Sequence, residues 1–354
     1  MTATATPLGR ASLSRSNARR WRPAHYLAAL GAVFVFWQSW TWIAWLADGP
    51  EQITQFRDRN SASWYGARVY EALAIVAALS VIVYLVRQCR RERRLTFDAM
   101  LCISTGAAMW TDPGVNFIEP TWMYSSNWTN LGGWAGHIPF FVNPDAGRMP
   151  EPILLASLVY TFGVLLFVMI LTSIMRWLRR RTPTISNARL LLLTFLGGVA
   201  IDVAFELPAF ALRLWAYPGA PDFFALFGGK AWRFPVIEMM GVAFIYTSLA
   251  AVRFFRDDAG RSVVERGLEG TRPRVRTAIS VLAMVAVSNV ALFAANSGNV
   301  VGGFFTSPFK RMPVHIVNGI CDAPGVTGTR YGPCPGSPGF TAPIRDLPGP
   351  KPYQ

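Results

Sequence analysis

An all-α, polytopic membrane helix bundle of about seven transmembrane helices is the fold class this sequence predicts, with the N-terminus cytoplasmic and the C-terminus external. Three observations carry it. The 354 residues are 52% hydrophobic and only 15% charged, with a mean hydropathy of +0.30, a balance typical of membrane proteins. The apolar residues gather in runs that approach the roughly 20 residues a bilayer crossing takes. The formal net charge of +14 lies mostly in short arginine clusters beside those runs, the bias that marks cytoplasmic loops. No RNA- or DNA-binding motif accompanies the charge, so it reads as topology and nucleic acid is set aside as a partner. Lysine occurs only at positions 230, 310 and 351. So strong an arginine preference suggests a high-GC bacterial genome, and with it the bacterial plasma membrane.

The elements follow in order. Residues 1–25 are polar and basic, a cytoplasmic tail. Residues 26–47 form the first run; it is too long for a signal-peptide core, and Trp45 would occupy the minus-three site if Ala47 ended a peptide, so it stays attached as a span. The second run, Val69 to about Val86, ends in Arg87, Arg90, Arg91, Arg93 and Arg94 on the cytoplasmic side. The third, Thr96 to Trp110, is short. Charge alternation argues that it crosses, because otherwise the cluster from Arg176 to Arg189 would lie outside. The fourth run is Ile153 to about Trp177, the fifth Leu190 to about Leu214, the sixth Pro235 to Phe255 and the seventh Thr277 to about Ala295. Residues 26–296 thus make a transmembrane bundle carrying an external loop, 111–152. Residues 297–354 are Gly- and Pro-rich, an external irregular tail. Cys321 and Cys334 fall in that tail, where an oxidising compartment would permit a disulfide; spacing alone leaves the pairing open.

The loop is the most informative stretch. WTDPGVNFIEPTWMYSSNWTNLGGWAGHIPFFVNPDAGRMPEP (110–152) is crowded with aromatic rings, amides and a few carboxylates. Disordered segments are poor in aromatics, and long ordered loops are usually functional. The loop is therefore read as the wall or lid of a site.

Acids within apolar runs are the second signal, since ionisable groups in spans are rare and each is a functional hypothesis. Asp202 and Glu206, in IDVAFELPAFALRLWAYPG, are spaced to share one helical face. Arg213 would continue their stripe, and Pro208 would perturb the helix just there. The topology draws Glu71, Asp112, Glu119, Asp202, Glu206 and Glu238 toward one external-side depth. Carboxylates clustered in an apolar setting split into acids and bases, which suits dehydration, hydration or ring closure on an apolar substrate through a cationic intermediate. Aromatic rings would bind the substrate and steady the cation. Plainer roles stand beside these: an ion pair with Arg213, headgroup contacts for Glu71 and Glu238, a turn at Asp112-Pro113, a buried hydrogen bond at His137, and an interfacial belt for Trp37, Trp40, Trp42 and Trp45. No metal-ligand pattern occurs, because His25, His137 and His315 are far apart in sequence and no Cys-x-x-Cys is present. No cofactor is expected.

The loop motifs WTDPGVNFIEPTWMYSSNW and GGWAGHIPFF, the MPEP before the fourth run, and DVAFELPAFALRLWAYPG in the fifth together resemble the AveC-type spirocyclase family of actinobacteria. The likeness covers roughly residues 30 to 300 in layout. It implies a multi-pass membrane protein that closes a dihydroxy ketone into a spiroketal or influences a dehydration beside it, on a polyketide or lipid substrate. Spiroketal closure fits the acids as read from placement: Glu206 and Asp202 as acid and base, Asp112, Glu119 and Glu238 in support. Asn116, Trp122, Tyr124, Asn127, Asn130, Trp134 and His137 are the candidate substrate-binding residues. The tail after Ala295 matches no family pattern. Two other classes use the same features: a non-catalytic membrane scaffold would need the loop aromatics but not the acids, and a proton-coupled transporter in lipid metabolism would use the acids, although no internal repeat is evident. An isoprenoid hydratase or cyclase is the nearest enzymatic alternative.

Overall fold

Arginines close the helices where the sequence places them. The computed structural model describes residues 22–143, 149–308, 310–321 and 333–340. In chain order the helices are α1 (Pro23–Ala47), α2 (Ala62–Glu92), α3 (Phe97–Gly106), α4 (Ile153–Leu158), α5 (Val164–Arg181), α6 (Asn187–Ala211), α7 (Val236–Phe254), α8 (Pro273–Gly302) and α9 (Val314–Val317). A π-turn over Val159–Gly163 joins α4 to α5. Arg90 and Arg91 lie in the last turn of α2, Arg179, Arg180 and Arg181 in that of α5, and Arg253 in that of α7. At the helix starts, hydroxyl side chains cap α2, α3 and α6: Ser61 accepts from Trp64 N at 3.1 Å, Thr96 from Ala99 N at 3.4 Å and Ser186 from Arg189 N at 3.2 Å. The basic tail expected over residues 1–25 lies almost wholly outside the described residues.

Six of these stretches are long and apolar enough to cross a membrane: α1, α2, α4 with α5, α6, α7 and α8. The expected third span is the exception. It folds as the ten-residue α3 followed by a 3₁₀-helix over Met109–Asn116. The two run alongside α8 in the same direction. Ser104 and Ser288 hydroxyls meet at 3.0 Å, Trp110 Nε1 donates to Asn289 Oδ1 at 2.8 Å, and Asn296 Nδ2 donates to the Thr111 carbonyl at 2.8 Å. Lengths of roughly 15 Å for α3 and about 16 Å for the 3₁₀-helix carry the chain from the arginine-rich end of the bundle to the loop end. Such an irregular path survives only where protein rather than lipid surrounds it; Met109, Trp110, Thr111, Pro113, Val115 and Asn116 are all buried.

Close approach fixes the bundle elsewhere. A Cβ on Gly31 would lie 1.8 Å from the Leu282 carbonyl oxygen, so α1 lies directly on the backbone of α8. At the arginine-rich end, Asp98 accepts from Arg253 Nε at 2.8 Å and Nη2 at 2.9 Å, and from Tyr84 at 2.8 Å, a bidentate pair that ties α3 to α7 and α2.

The loop end is closed by short antiparallel pairs. β1 (Met123–Tyr124) pairs with β4 (Trp215–Ala216), β2 (Leu131–Gly132) with β3 (Pro150–Glu151), and β5 (Ala225–Leu226) with β6 (Phe234–Pro235). Within the described part of the aromatic loop, Trp110, Trp128 and Trp134 are buried, as its composition predicts. The last span ends at Gly302, two turns beyond the expected Ala295, because Asn296 and Asn299 spend their amides inside the bundle. The tail departs from the expectation of an irregular appendage. Met312, Ile316, Val317, Ile320 and the disulfide Cys321–Cys334 form a small core with Met123, Met149 and Ala216.

Candidate active site

The 3₁₀-helix that ends the broken crossing presents Asp112 to the middle of the loop end. Its carboxylate accepts from the Tyr160 hydroxyl at 2.5 Å and the Tyr124 hydroxyl at 3.1 Å. Tyr160 sits on the π-turn, whose extra residue breaks the regular ladder, a distortion that recurs at functional sites. Tyr124 comes from β1, and burial beside Asp112 pushes its phenol far up, so it stays a donor.

These groups line a cavity of about 130 Å³. Glu151 enters from β3, Glu206 from α6 and Glu238 from the first turn of α7, while Trp122, Trp215, Phe205 and Tyr246 supply aromatic wall. Four carboxyl groups share the space, and among the described residues no arginine, lysine or histidine lines it. Without a counter-ion such a set cannot all be ionised. Glu151 carries the clearest assignment: burial, then the neighbouring Asp112, hold its carboxyl well above the usual carboxylate range. Its neutral, protonated form is thereby favoured, beside Asp112, which accepts from two phenols. Asn299 Nδ2 donates to Glu238 Oε2. The Trp215 indole faces Glu206 and Glu151 faces Asp112, while the Trp122 indole nitrogen has no hydrogen-bond partner among the described residues. Buried polar atoms in this state are costly unless something else satisfies them.

The sequence expectations divide cleanly by position. Asp112, Glu206, Glu238, Asn116, Trp122 and Tyr124 reach the cavity wall. Asp202 lies one turn before Glu206, buried and with Oδ2 unpartnered, off that wall. Glu119 is buried against Gly303 at the end of α8, also off the wall; burial alone pushes its carboxyl up to about 8. The remaining candidates hold the loop together. Asn127 binds Asp58 N and Ser63 Oγ, Asn130 binds both backbone groups of Ile53, Trp134 donates to the Trp110 carbonyl, and His137 meets Asp48 at 3.3 Å. Asn116 Oδ1 is itself occupied by Trp122 N at 2.8 Å. Arg213 does not continue the acidic stripe: α6 has ended, and its φ of 59° turns the chain away. Glu71 pairs with Arg68 at 3.0 Å and accepts from Thr129 N, a structural duty.

Glu151, Tyr160, Trp215, Tyr246 and Asn296 are the site residues that sequence reasoning passed over. For Glu151 a signal existed, an acid between two prolines at the mouth of an apolar run.

A family model described as Spirocyclase AveC-like matches residues 92–307, more than half of the chain. The chain belongs to the AveC-like spirocyclase family. The match spans every cavity-lining residue of this AveC-like protein, from Asp112 to Asn296. No curated protein and no solved structure matches it.

Proposed function

We propose that this AveC-like protein is a membrane-embedded cyclase or dehydratase that closes a spiroketal, or removes water, by acid–base catalysis on an apolar polyketide or lipid substrate. The observation that carries the reading is the pairing, in one aromatic cavity, of Glu151, whose burial favours the protonated form, with Asp112, which accepts from two phenols. Glu151 donates its proton to the departing hemiketal hydroxyl. The C–O bond breaks and water leaves. The resulting oxocarbenium ion is steadied by the surrounding carboxylates and by the faces of Trp122 and Trp215. The second substrate hydroxyl attacks the carbon as Asp112 takes its proton, and return of that proton to Glu151 resets the pair. One C–O bond is broken, one formed and one water released. Glu206 and Glu238, on the same wall, supply further negative charge or hold the second hydroxyl, and Asp202 acts on them from one turn away.

The test is mass spectrometry of lipid extracts from a deletion strain complemented with wild type, Asp112→Asn, Glu151→Gln or Asp202→Asn/Glu206→Gln. The deletion accumulates a species heavier by one water, wild type clears it, and Asp112→Asn and Glu151→Gln each lose about 100-fold or more of the activity. Equal clearance by every variant would leave the acids structural and favour a scaffold.

A further inference from the structure

The cavity is small for its chemistry. At about 130 Å³ it compares with an engineered cavity of roughly 150 Å³ that holds one benzene, whereas drug-sized ligands occupy roughly 300–1,000 Å³. It takes the reacting ring and little else. The rest of any larger substrate must lie elsewhere, and an adjoining groove offers space for it. Leu155, Val159 and Phe205 form the wall of the cavity and also the wall of a groove of about 370 Å³ between α2, the α4–π-turn stretch and α6.

Residue size explains why the groove exists. Ala74, Gly163 and Ala204 line it where larger side chains would close the gap between the three helices. No charged side chain faces it, and the Tyr70 hydroxyl is spent on the Phe205 carbonyl at 2.8 Å. Its outer lip is apolar and exposed: Leu73 is 62% accessible, on a stretch of α2 whose outer face also bears Val69 and Val76. At the loop end, Met123, Met149 and Ala216 are packed beneath the tail core and its disulfide.

We propose that this groove admits and seats the apolar chain of the substrate, which enters sideways from the bilayer with its oxygenated head passing Phe205 into the carboxylate cavity. The inference rests on the cyclase reading for the identity of the occupant. Moving an alkyl chain from lipid into an apolar groove exchanges one apolar surrounding for another. The groove therefore contributes position rather than hydrophobic driving force. It binds an amphiphile whose head the cavity can satisfy, in preference to a phospholipid whose headgroup it cannot admit.

The experiment uses the full-length protein in phospholipid nanodiscs and two photoreactive probes, a long-chain alcohol and a phospholipid, each with a mid-chain diazirine. The alcohol is expected to label the peptides holding Leu155, Val159 and Phe205, and that labelling falls about tenfold or more in Ala74→Phe/Ala204→Trp, with labelling at Val76 unchanged. The phospholipid is expected to label Val76 and not the inner wall. Phospholipid labelling of the inner wall equal to that by the alcohol would make the groove a structural lipid site, and labelling indifferent to the filling substitutions would remove the portal; either overturns the proposal. Should the double variant elute as an aggregate, Ala204→Leu repeats the test with less added volume. Glu151→Gln separates the two readings. If it retains turnover while the labelling pattern holds, the cyclase assignment fails and the groove stands; if it loses turnover while the filling variants label normally, only the groove fails.

Discussion

At the scale of single residues, two carboxyl groups outside the long helices, a half-buried Asp112 and a buried Glu119, meet different surroundings. Asp112 is met by two hydroxyl donors, and the shorter bond belongs to Tyr160. Tyr160→Phe is expected to cost about tenfold or more in kcat with KM little changed, and Tyr124→Phe less. The bond at 2.5 Å is charge-assisted and worth roughly 1.5–3 kcal/mol, and steady-state assays on purified protein check it. Glu119 has no donor for Oε2 and is pushed from 4.5 to about 8 by burial. The unfolded chain releases this proton near pH 4.5 and the folded chain holds it to about 8, so the wild type loses stability as pH rises between those values. Glu119→Gln removes the penalty. It is expected to match wild type at pH 4 and to exceed it by a few kcal/mol at pH 8, read as thermal unfolding in detergent; a constant gap across that range would refute the assignment. Sequence reading drew Glu119 and Asp112 toward one depth. It could not say that Gly303 would stand against the first and two phenols against the second, since both facts depend on which helices become neighbours.

At the scale of elements, legibility followed the solvent each segment meets. The long helices expose apolar side chains on one side, and hydropathy with arginine clusters located them to within a turn or two for most ends. The expected third crossing packs along α8, so the length rule for lipid-exposed helices does not govern it, and α3 stops after ten residues. The π-turn at Val159–Gly163 left no sequence mark for the same reason: it is a product of packing. Packing also makes Gly31 a sharp test. Gly31→Ala places a methyl group 1.8 Å from the Leu282 carbonyl oxygen, a clash with backbone that no rotamer relieves, and is expected to cost at least about 1–3 kcal/mol by forcing α1 from α8. Gly302→Ala, whose added Cβ would meet Ile237 at an ordinary 3.6 Å, serves as the near-neutral control. Thermal melts of both in nanodiscs decide it, and equal melting would mean that α1 is only loosely held.

At the scale of the whole molecule, the site depends on a segment that lies beyond the family match, which ends at residue 307. The tail core rests on Met123, Met149 and Ala216. The first is the neighbour of Tyr124, the second lies two residues before Glu151 and the third follows Trp215, so three parts of the cavity wall share one support. Asn318 adds a direct link, donating from Nδ2 to the Tyr124 carbonyl at 2.8 Å, while Ser126 N donates to the His315 carbonyl at 2.7 Å. Composition alone made this tail look irregular, because its few apolar residues are spaced to meet the loop rather than one another. The Cys321–Cys334 bridge closes a thirteen-residue separation, a constraint worth about 3 kcal/mol in the chain-entropy picture. In Cys321→Ser/Cys334→Ser, amide exchange is therefore expected to rise at residues 312–321 and at β1, β3 and β4, with turnover falling in step, while α5 and α7 near the arginine-rich end keep their protection. Faster exchange confined to the tail, with β1, β3 and β4 unchanged, would mean that the cavity wall holds its shape without the cap.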